Sequence, residues 1–352
     1  MSPQIPLAAF VTHGIEGIAA QEIRDAFYLN AHAVTERRKV ILFSTAGKLT
    51  ALKRLRTVDD VCAVAFTDES AAELPGFLKR LDAVDIESLV RAAGRQDSFD
   101  GTFSVTISAA RSPLGATAEL EPAVRNAIEQ RYGWQGCVET RGSADVRVFC
   151  DGAWALVGLR IFDQPLSHRD YRITHVPGAL RPPVAAALVR IACPDNAHHR
   201  VWDPFCGSGT ILCEAFLAGH EVRGTDIDDD AVAAACHNLG TLDRALPGHV
   251  ELADSTAVKT WQRHAQADVV VTNLPWGKQI SIERKQKLYG AIQDGIADLL
   301  QRGGRVVLLT TEPERTYSRL RRLKTVSVAE HRIGLLGQSP TIVSISAASP
   351  SS

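Results

Sequence analysis

From about residue 200 onward, short runs of β-branched and other apolar residues alternate with helical patterns, and that alternation dictates a parallel α/β sheet. The spacing predicts strands over 199–202, 221–225, 249–252, 267–272 and 305–310, with helices over 211–217, 231–239, 284–300 and 315–323. Gly219 closes the first of these helices, and Asp228-Asp229-Asp230 caps the second with three carboxylates at its positive dipole end. The run at 267–272 is continuously apolar, as in a strand covered on both faces. Two last runs, 325–332 and 341–346, are separated by Gly334, Gly337 and Pro340 and predict a hairpin, which completes a seven-stranded sheet.

The first half has a different texture. Strands are predicted over 6–12, 39–45, 101–109, 138–140, 146–150 and 153–160, with helices over 17–26, 46–55 and 123–132. This is an α+β pattern of antiparallel sheets, in two small modules that meet within about ten residues of Pro75-Gly76 and are drawn as 1–68 and 69–165. Rising Pro and Gly density marks a linker over 166–183, and the α/β domain occupies 184–352. A chain of 352 residues accommodates this division, and 45% hydrophobic with 22% charged residues excludes a disordered or fibrous protein.

Lys and Arg total 39 against 40 Asp and Glu, so no global positive field holds a nucleic acid; such a partner needs a local basic surface. Seven scattered cysteines without C-x-x-C or zinc spacing imply reduced thiols in a cytoplasmic protein with no metal. No signal-like start and no apolar run of about 18 residues implies a chain that is neither exported nor membrane-spanning.

The chemistry concentrates at the strand ends. Asp203-Pro204-Phe205-Cys206-Gly207-Ser208-Gly209-Thr210 follows the first strand of the α/β domain, where glycines let a ligand approach the backbone and a helix start offers free N–H groups. Gly207-x-Gly209 alone also suits a plain tight turn. A dinucleotide fingerprint lacks its third small residue, since Leu212 stands there, and no P-loop lysine is present. Acidic residues near the first three strand ends, Asp203, Asp226 and Asp254, sharpen the reading. Asp226 is placed to accept a ribose diol, Asp203 to face an ammonium and Asp254 an exocyclic amine, a spread that fits S-adenosylmethionine.

The octapeptide at 203–210, together with Asn273-Leu274-Pro275-Trp276-Gly277, resembles the class I methyltransferases that act on exocyclic amines of nucleobases. With Lys278, and with Leu166-Ser167-His168-Arg169-x-Tyr171-Arg172 and Leu180-Arg181-Pro182 upstream, it is similar to the THUMP-domain RNA methyltransferases that make N2-methylguanosine in tRNA. The resemblance implies a Rossmann-like methyltransferase domain preceded by ferredoxin-like and THUMP modules. It implies cofactor contacts from the octapeptide, from Asp226 with Ile227, from Asp254 with Ser255 and from Asn273. Arg181, Pro182, Trp276, Gly277 and Lys278 would meet an RNA substrate, a tRNA in its acceptor-stem region.

The chemistry explains the motif. Guanine N2 is a weak nucleophile because its lone pair is delocalised, so the amine must be held with that pair aimed at the sulfonium methyl. The Asn273 side-chain oxygen and the Leu274 carbonyl, freed by Pro275, can take one N–H each, and Trp276 can stack on a flipped base. Alternatives are another exocyclic amine (rRNA guanine N2 or adenine N6), a non-catalytic RNA-binding protein and, more remotely, a nicotinamide oxidoreductase. Basic clusters at Arg37-Arg38-Lys39, Arg169 with Arg172, Lys278 with Arg284, Lys285 and Lys287, and Arg319, Arg321, Arg322 with Lys324 are candidates for phosphate contact.

Overall fold

The computed structural model describes residues 5–45, 48–110, 112–138, 140–195, 197–275, 282–322, 326–335 and 337–348. The chain divides into two compact units: Met1–Val11 with Ala20–Leu166, and Thr12–Ala19 with Ser167–Ser352. No helix among the described residues is long and apolar enough to cross a membrane.

The first unit is built from β1 (Ile5–Phe10), α1 (Glu16–Phe27) from Ala20 onward, β2 (Val34–Arg37), β3 (Val40–Thr45), β4 (Asp60–Asp68), α2 (Leu74–Ala83), α3 (Ile86–Ala92), β5 (Thr102–Ala110), α4 (Thr117–Tyr132), β6 (Gln135–Gly136), β7 (Ala144–Asp151) and β8 (Trp154–Arg160). Its strands form one sheet in the order β2-β3-β1-β4-β8-β7-β5-β6. The strands expected in two modules therefore share a sheet, joined where β4 pairs antiparallel with β8 from Cys62 opposite Arg160. Pro75 and Gly76 lie inside α2, where a proline at the helix start costs no hydrogen bond. A two-residue strand, β6, stands before the segment expected as a strand at 138–140, of which residue 139 lies outside the described residues; of the helix expected at 46–55, residues 46 and 47 lie outside them and the rest holds a 3₁₀ segment, Leu49–Arg54. Inside the sheet, buried Asp60 accepts from Arg147 and Arg160, at 3.1 and 2.7 Å, and Arg160 reaches Asp145 at 2.7 Å, so the buried charges neutralise one another.

The second unit follows the predicted alternation closely. It contains α5 (Pro182–Ala192), β9 (Arg200–Asp203), α6 (Thr210–Leu217), β10 (Glu221–Asp226), α7 (Asp229–Gly240), β11 (Val250–Leu252), α8 (Val258–Arg263), β12 (Val269–Asn273), α9 (Ile282–Gln301), β13 (Arg305–Thr310), α10 (Pro313–Tyr317), β14 (Val326–Arg332) and β15 (Thr341–Ala347). The seven strands run β11-β10-β9-β12-β13-β15-β14. The first five are parallel, and the terminal hairpin adds β15 antiparallel to β13, with β14 antiparallel to β15. Asp228 caps α7 through the Asp230 N–H. This is a doubly wound, Rossmann-like fold with an antiparallel terminal hairpin. The segment expected as a linker is packed rather than loose: Leu166, Arg169, Tyr171 and Leu180 are all buried.

Candidate active site

After β9 the chain lays β10 and β11 to one side and then returns with β12 on the other, so β9 and β12 flank a topological switch point. A cleft of about 350 Å³ opens there. Asp203 ends β9, Asp226 ends β10 and Asn273 ends β12, and all three line it with Gly207, Ser208 and Arg181.

The turn between β9 and α6 is held from below. Asp226 accepts the Gly207 N–H through Oδ2 at 2.8 Å and the Asp228 N–H through Oδ1 at 3.0 Å, which fixes the carboxylate against the glycine loop. Gly207 and Gly209 take φ of +52° and +76°, values that strain a side-chain-bearing residue, and the Ala235 Cβ lies 3.2 Å from where a Gly209 Cβ would sit. Asp203 is buried, accepting Thr272 Oγ1 at 2.6 Å and the Phe205 N–H at 3.1 Å. Burial outweighs those bonds, and the nearby Asp226 charge adds to it, so the Asp203 carboxyl is pushed up to about 7. Cys206, also lining the cleft, is buried and its thiol pushed well up by desolvation.

At the end of β12, Asn273 sits opposite Leu309 in the ladder, and the Leu274 N–H donates to the Leu309 carbonyl at 3.0 Å. The Leu274 side chain is fully buried while Pro275 is exposed, so β-pairing and core packing fix the turn up to the proline. Trp276, Gly277 and Lys278 lie outside the described residues.

Of the other residues expected at the site, Phe205, Thr210 and Ile227 line the cleft, Ile227 with more than half its surface exposed. Pro204 and Gly209 support the loop without lining the cleft; the Pro204 carbonyl accepts Thr225 Oγ1. Asp254 and Ser255 are not brought to it. Asp254 accepts from Thr256 and pairs with Lys287 at 3.8 Å, and Ser255 is buried against Thr225 Oγ1 at 2.9 Å, because β11 ends at Leu252 and the chain turns into α8. Pro182 is buried in the first turn of α5 and does not line the cleft. Sequence reasoning missed Val176–Ala179 as a wall, having read Pro-Gly density as a linker. It also missed Leu335, for which the hairpin gave no signal.

Several of the described candidate cations are engaged in ion pairs, mostly at the surface. Arg37 pairs with Glu69 at 2.5 Å, Arg38 with Asp151 at 3.2 Å, Lys285 with Glu312 at 2.6 Å, Arg319 with Asp294 and Arg321 with Glu314 at 3.5 Å each. Arg169 is buried on Glu214 at 2.9 Å and offers no phosphate contact.

The residues present fit a nucleoside carrying a cationic amino-acid end. Ser208 lines the cleft, and its buried hydroxyl has no hydrogen-bond partner among the described residues, a polar group left for a ligand to satisfy. Two carboxyl groups and a glycine turn free of side chains complete the polar side, with Ile227 and Ile211 as its apolar surface.

Residues 169–339 match the sequence model of the UPF0020 family, described as an RMKL-like methyltransferase domain. The chain is 28% identical over 226 residues to a Mus musculus U6 snRNA (guanine-N(2))-methyltransferase, covering 63% of this chain and 41% of the relative. It is 30% identical over 228 residues to a tRNA (guanine(6)-N2)-methyltransferase of Thermus thermophilus, covering 60% of this chain and 63% of that one. The chain thus spans less than half the length of the mouse relative. TrmN from Thermus thermophilus superposes with a TM-score of 0.75 at 23% identity, over 98% of this chain and all of the other.

Proposed function

We propose that this chain is an S-adenosylmethionine-dependent methyltransferase acting on the exocyclic N2 amine of a guanosine in RNA, with tRNA as its substrate. The observation that carries the reading is that Asn273, Leu274 and Pro275 line the same cleft as Asp203, Asp226 and Ser208, whose buried hydroxyl has no partner among the described residues.

In this reading Asp226, already braced against the Gly207 N–H, meets the ribose, Asp203 the ammonium and Ser208 a polar atom of the cofactor, while Ile227 covers the adenine. When bound, S-adenosylmethionine supplies an electrophilic methyl group on a sulfonium. The protein's own part is to hold the amine. Asn273 Oδ1 and the Leu274 carbonyl each accept one N–H, orienting the nitrogen lone pair and favouring its pyramidal form. No strong base is required, because the alkylated amine is acidic and gives its proton to water. Trp276 would stack on the base and Arg181 and Lys278 would meet phosphate.

Relatives named as guanine-N2 methyltransferases of tRNA and of U6 snRNA support the amine and leave the RNA to be chosen. We assign the choice of RNA to the first unit, read as ferredoxin-like and THUMP modules, and the site of action to the cytoplasm. The test is to incubate the protein with labelled S-adenosylmethionine and total RNA, then to digest the RNA and identify the labelled nucleoside and its carrier. N2-methylguanosine in tRNA is expected. Label in N6-methyladenosine or in rRNA transfers the assignment to that amine or that RNA, and no label at all overturns it.

A further inference from the structure

Residues 169–181 carry neither helix nor strand, yet Arg169, Tyr171 and Leu180 are buried and Val176–Arg181 form part of the cleft wall. Two buried polar side chains hold this strap, and both stand on helices that pack around the glycine loop.

The first is Asn238, 1% exposed, on α7. Its Oδ1 accepts the Ile173 N–H at 3.1 Å and the Thr174 N–H at 2.9 Å. Its Nδ2 donates to the Thr174 carbonyl and to the Ser208 carbonyl, both at 2.9 Å. Every hydrogen-bonding site of the amide is used. One side chain thus ties the strap to Ser208, a cleft-lining residue whose buried hydroxyl has no partner among the described residues, and the same helix places Ala235 against Gly209.

The second is Glu214, 2% exposed, on α6, which begins at the loop's end. It accepts Arg169 Nε at 2.9 Å and the Tyr171 hydroxyl at 2.8 Å. A buried carboxylate with a buried guanidinium and a phenol is costly to half-dismantle, so this end of the strap is held by the penalty for leaving it.

We infer that Asn238 is a positioning residue: it locks the strap 173–181 to the glycine loop, so that the cofactor meets a preformed wall instead of having to order one. Removing the amide leaves two N–H groups and two carbonyls without their buried partner, and the strap and Ser208 lose their common reference. Ordering the wall then falls to the ligand and is subtracted from its affinity. The cost appears in cofactor binding and not in the chemical step, because Asn273 and Leu274 are held separately by β13. This rests on the cleft being a cofactor site, as proposed above.

The experiment compares the full chain with Asn238→Ala, Tyr171→Phe and Leu239→Ala, the last a fully buried core truncation one residue away on the same helix. Hydrogen exchange is measured without ligand, and S-adenosylmethionine binding and methylation kinetics with it, at a temperature where each variant is folded. In Asn238→Ala, the amides of Ile173 and Thr174 should lose protection at least tenfold beyond the rest of the unit, and KM for S-adenosylmethionine should rise at least tenfold with kcat within threefold. Tyr171→Phe should show the same pattern more weakly. Leu239→Ala should lower thermal stability while leaving cofactor affinity within threefold. The inference is overturned if strap exchange is unchanged in Asn238→Ala, or if Leu239→Ala weakens cofactor binding as much. A wild-type protein that fails to bind S-adenosylmethionine overturns the cofactor assignment, and the exchange measurement alone then decides the clamp.

Discussion

At Asp203 two opposed effects meet in one carboxyl group: two donors stabilise its anion, and burial to 1% exposure penalises that anion more, so the proton is held to about pH 7. Because the folded-state value lies above the ordinary one, its contribution to stability is full below about pH 4, falls as pH rises toward 7, and is level beyond. Ligand binding should run the other way. If Asp203 meets the cofactor's ammonium, which stays protonated to about pH 7.7, calorimetry should show affinity for S-adenosylmethionine rising between pH 6 and 7.5. Asp203→Asn should bind weakly and without that rise; a mutant retaining the wild-type slope would assign the titration to another group. The role proposed for Asn273 belongs to a different step. Asn273→Ala should leave cofactor affinity near wild type and lower kcat about a hundredfold, the scale for losing one preorganised polar contact. Steady-state kinetics at saturating cofactor check this, and full turnover in the mutant would remove Asn273 from the amine.

Gly295, inside α9, shows packing overruling local propensity. An alanine there gains about 1 kcal/mol in an isolated helix, but a Cβ would stand 2.1 Å from the Trp261 ring. That ring is fixed by its Nε1–H to the Ser255 carbonyl at 3.0 Å and by edge-on contact with Trp202 at 4.8 Å. Gly295→Ala should therefore destabilise the protein by about 1–3 kcal/mol, read as a lower urea midpoint; a higher midpoint would mean that the indole moves aside freely. The same contest decides what could be read beforehand. β12 and β13 were legible because Val-Val-Val-Thr and Arg-Val-Val-Leu-Leu-Thr leave no competing helical period. β4, with Ala and Cys among its apolar residues, lacks that signature, and its strand identity comes from pairing with β1 and β8. The helix α5 was hidden by Pro182-Pro183, which mark a linker as readily as a first helical turn. Asp203, Asp226 and Asn273 could be placed together beforehand because strand ends at a switch point are where ligands bind, and all three line the cleft. Asp254, read by the same rule, does not line the cleft. Asn238 did carry a signal, since it interrupts the stripe Ala231, Ala234, Ala235 as the only polar residue at that helical spacing, but its four partners lie 30 or more residues away.

For the whole chain, the division of labour does not coincide with a single cut in the sequence. Thr12–Ala19 belongs to the unit that holds the cleft. The Gly334 N–H donates to the His13 carbonyl at 2.8 Å, the His331 ring contacts the Gly14 carbonyl, and Arg181 reaches Thr12 Oγ1 at 3.4 Å. Gly14, at φ +95°, leaves no room for a side chain: a Cβ would be 2.3 Å from the Arg332 carbonyl. These contacts adjoin Leu335 and Arg181, which line the cleft. A fragment beginning at Ser167 keeps the whole seven-stranded sheet but loses this segment. It should be less stable than the intact chain by about 2–4 kcal/mol, the scale of two or three hydrogen bonds with partners left unpaired. A fragment beginning at Thr174 also strips Arg169 and Tyr171 from the buried Glu214 carboxylate, and half-dismantling this buried cluster costs about a further 3–5 kcal/mol. Urea unfolding should rank the midpoints as intact chain, then 167–352, then 174–352, with S-adenosylmethionine affinity falling in the same order because each loss removes support from the strap or from Arg181. If the two fragments unfold together, Glu214 finds water or another partner once the strap is gone, and the buried pair is not what fixes the strap to α6.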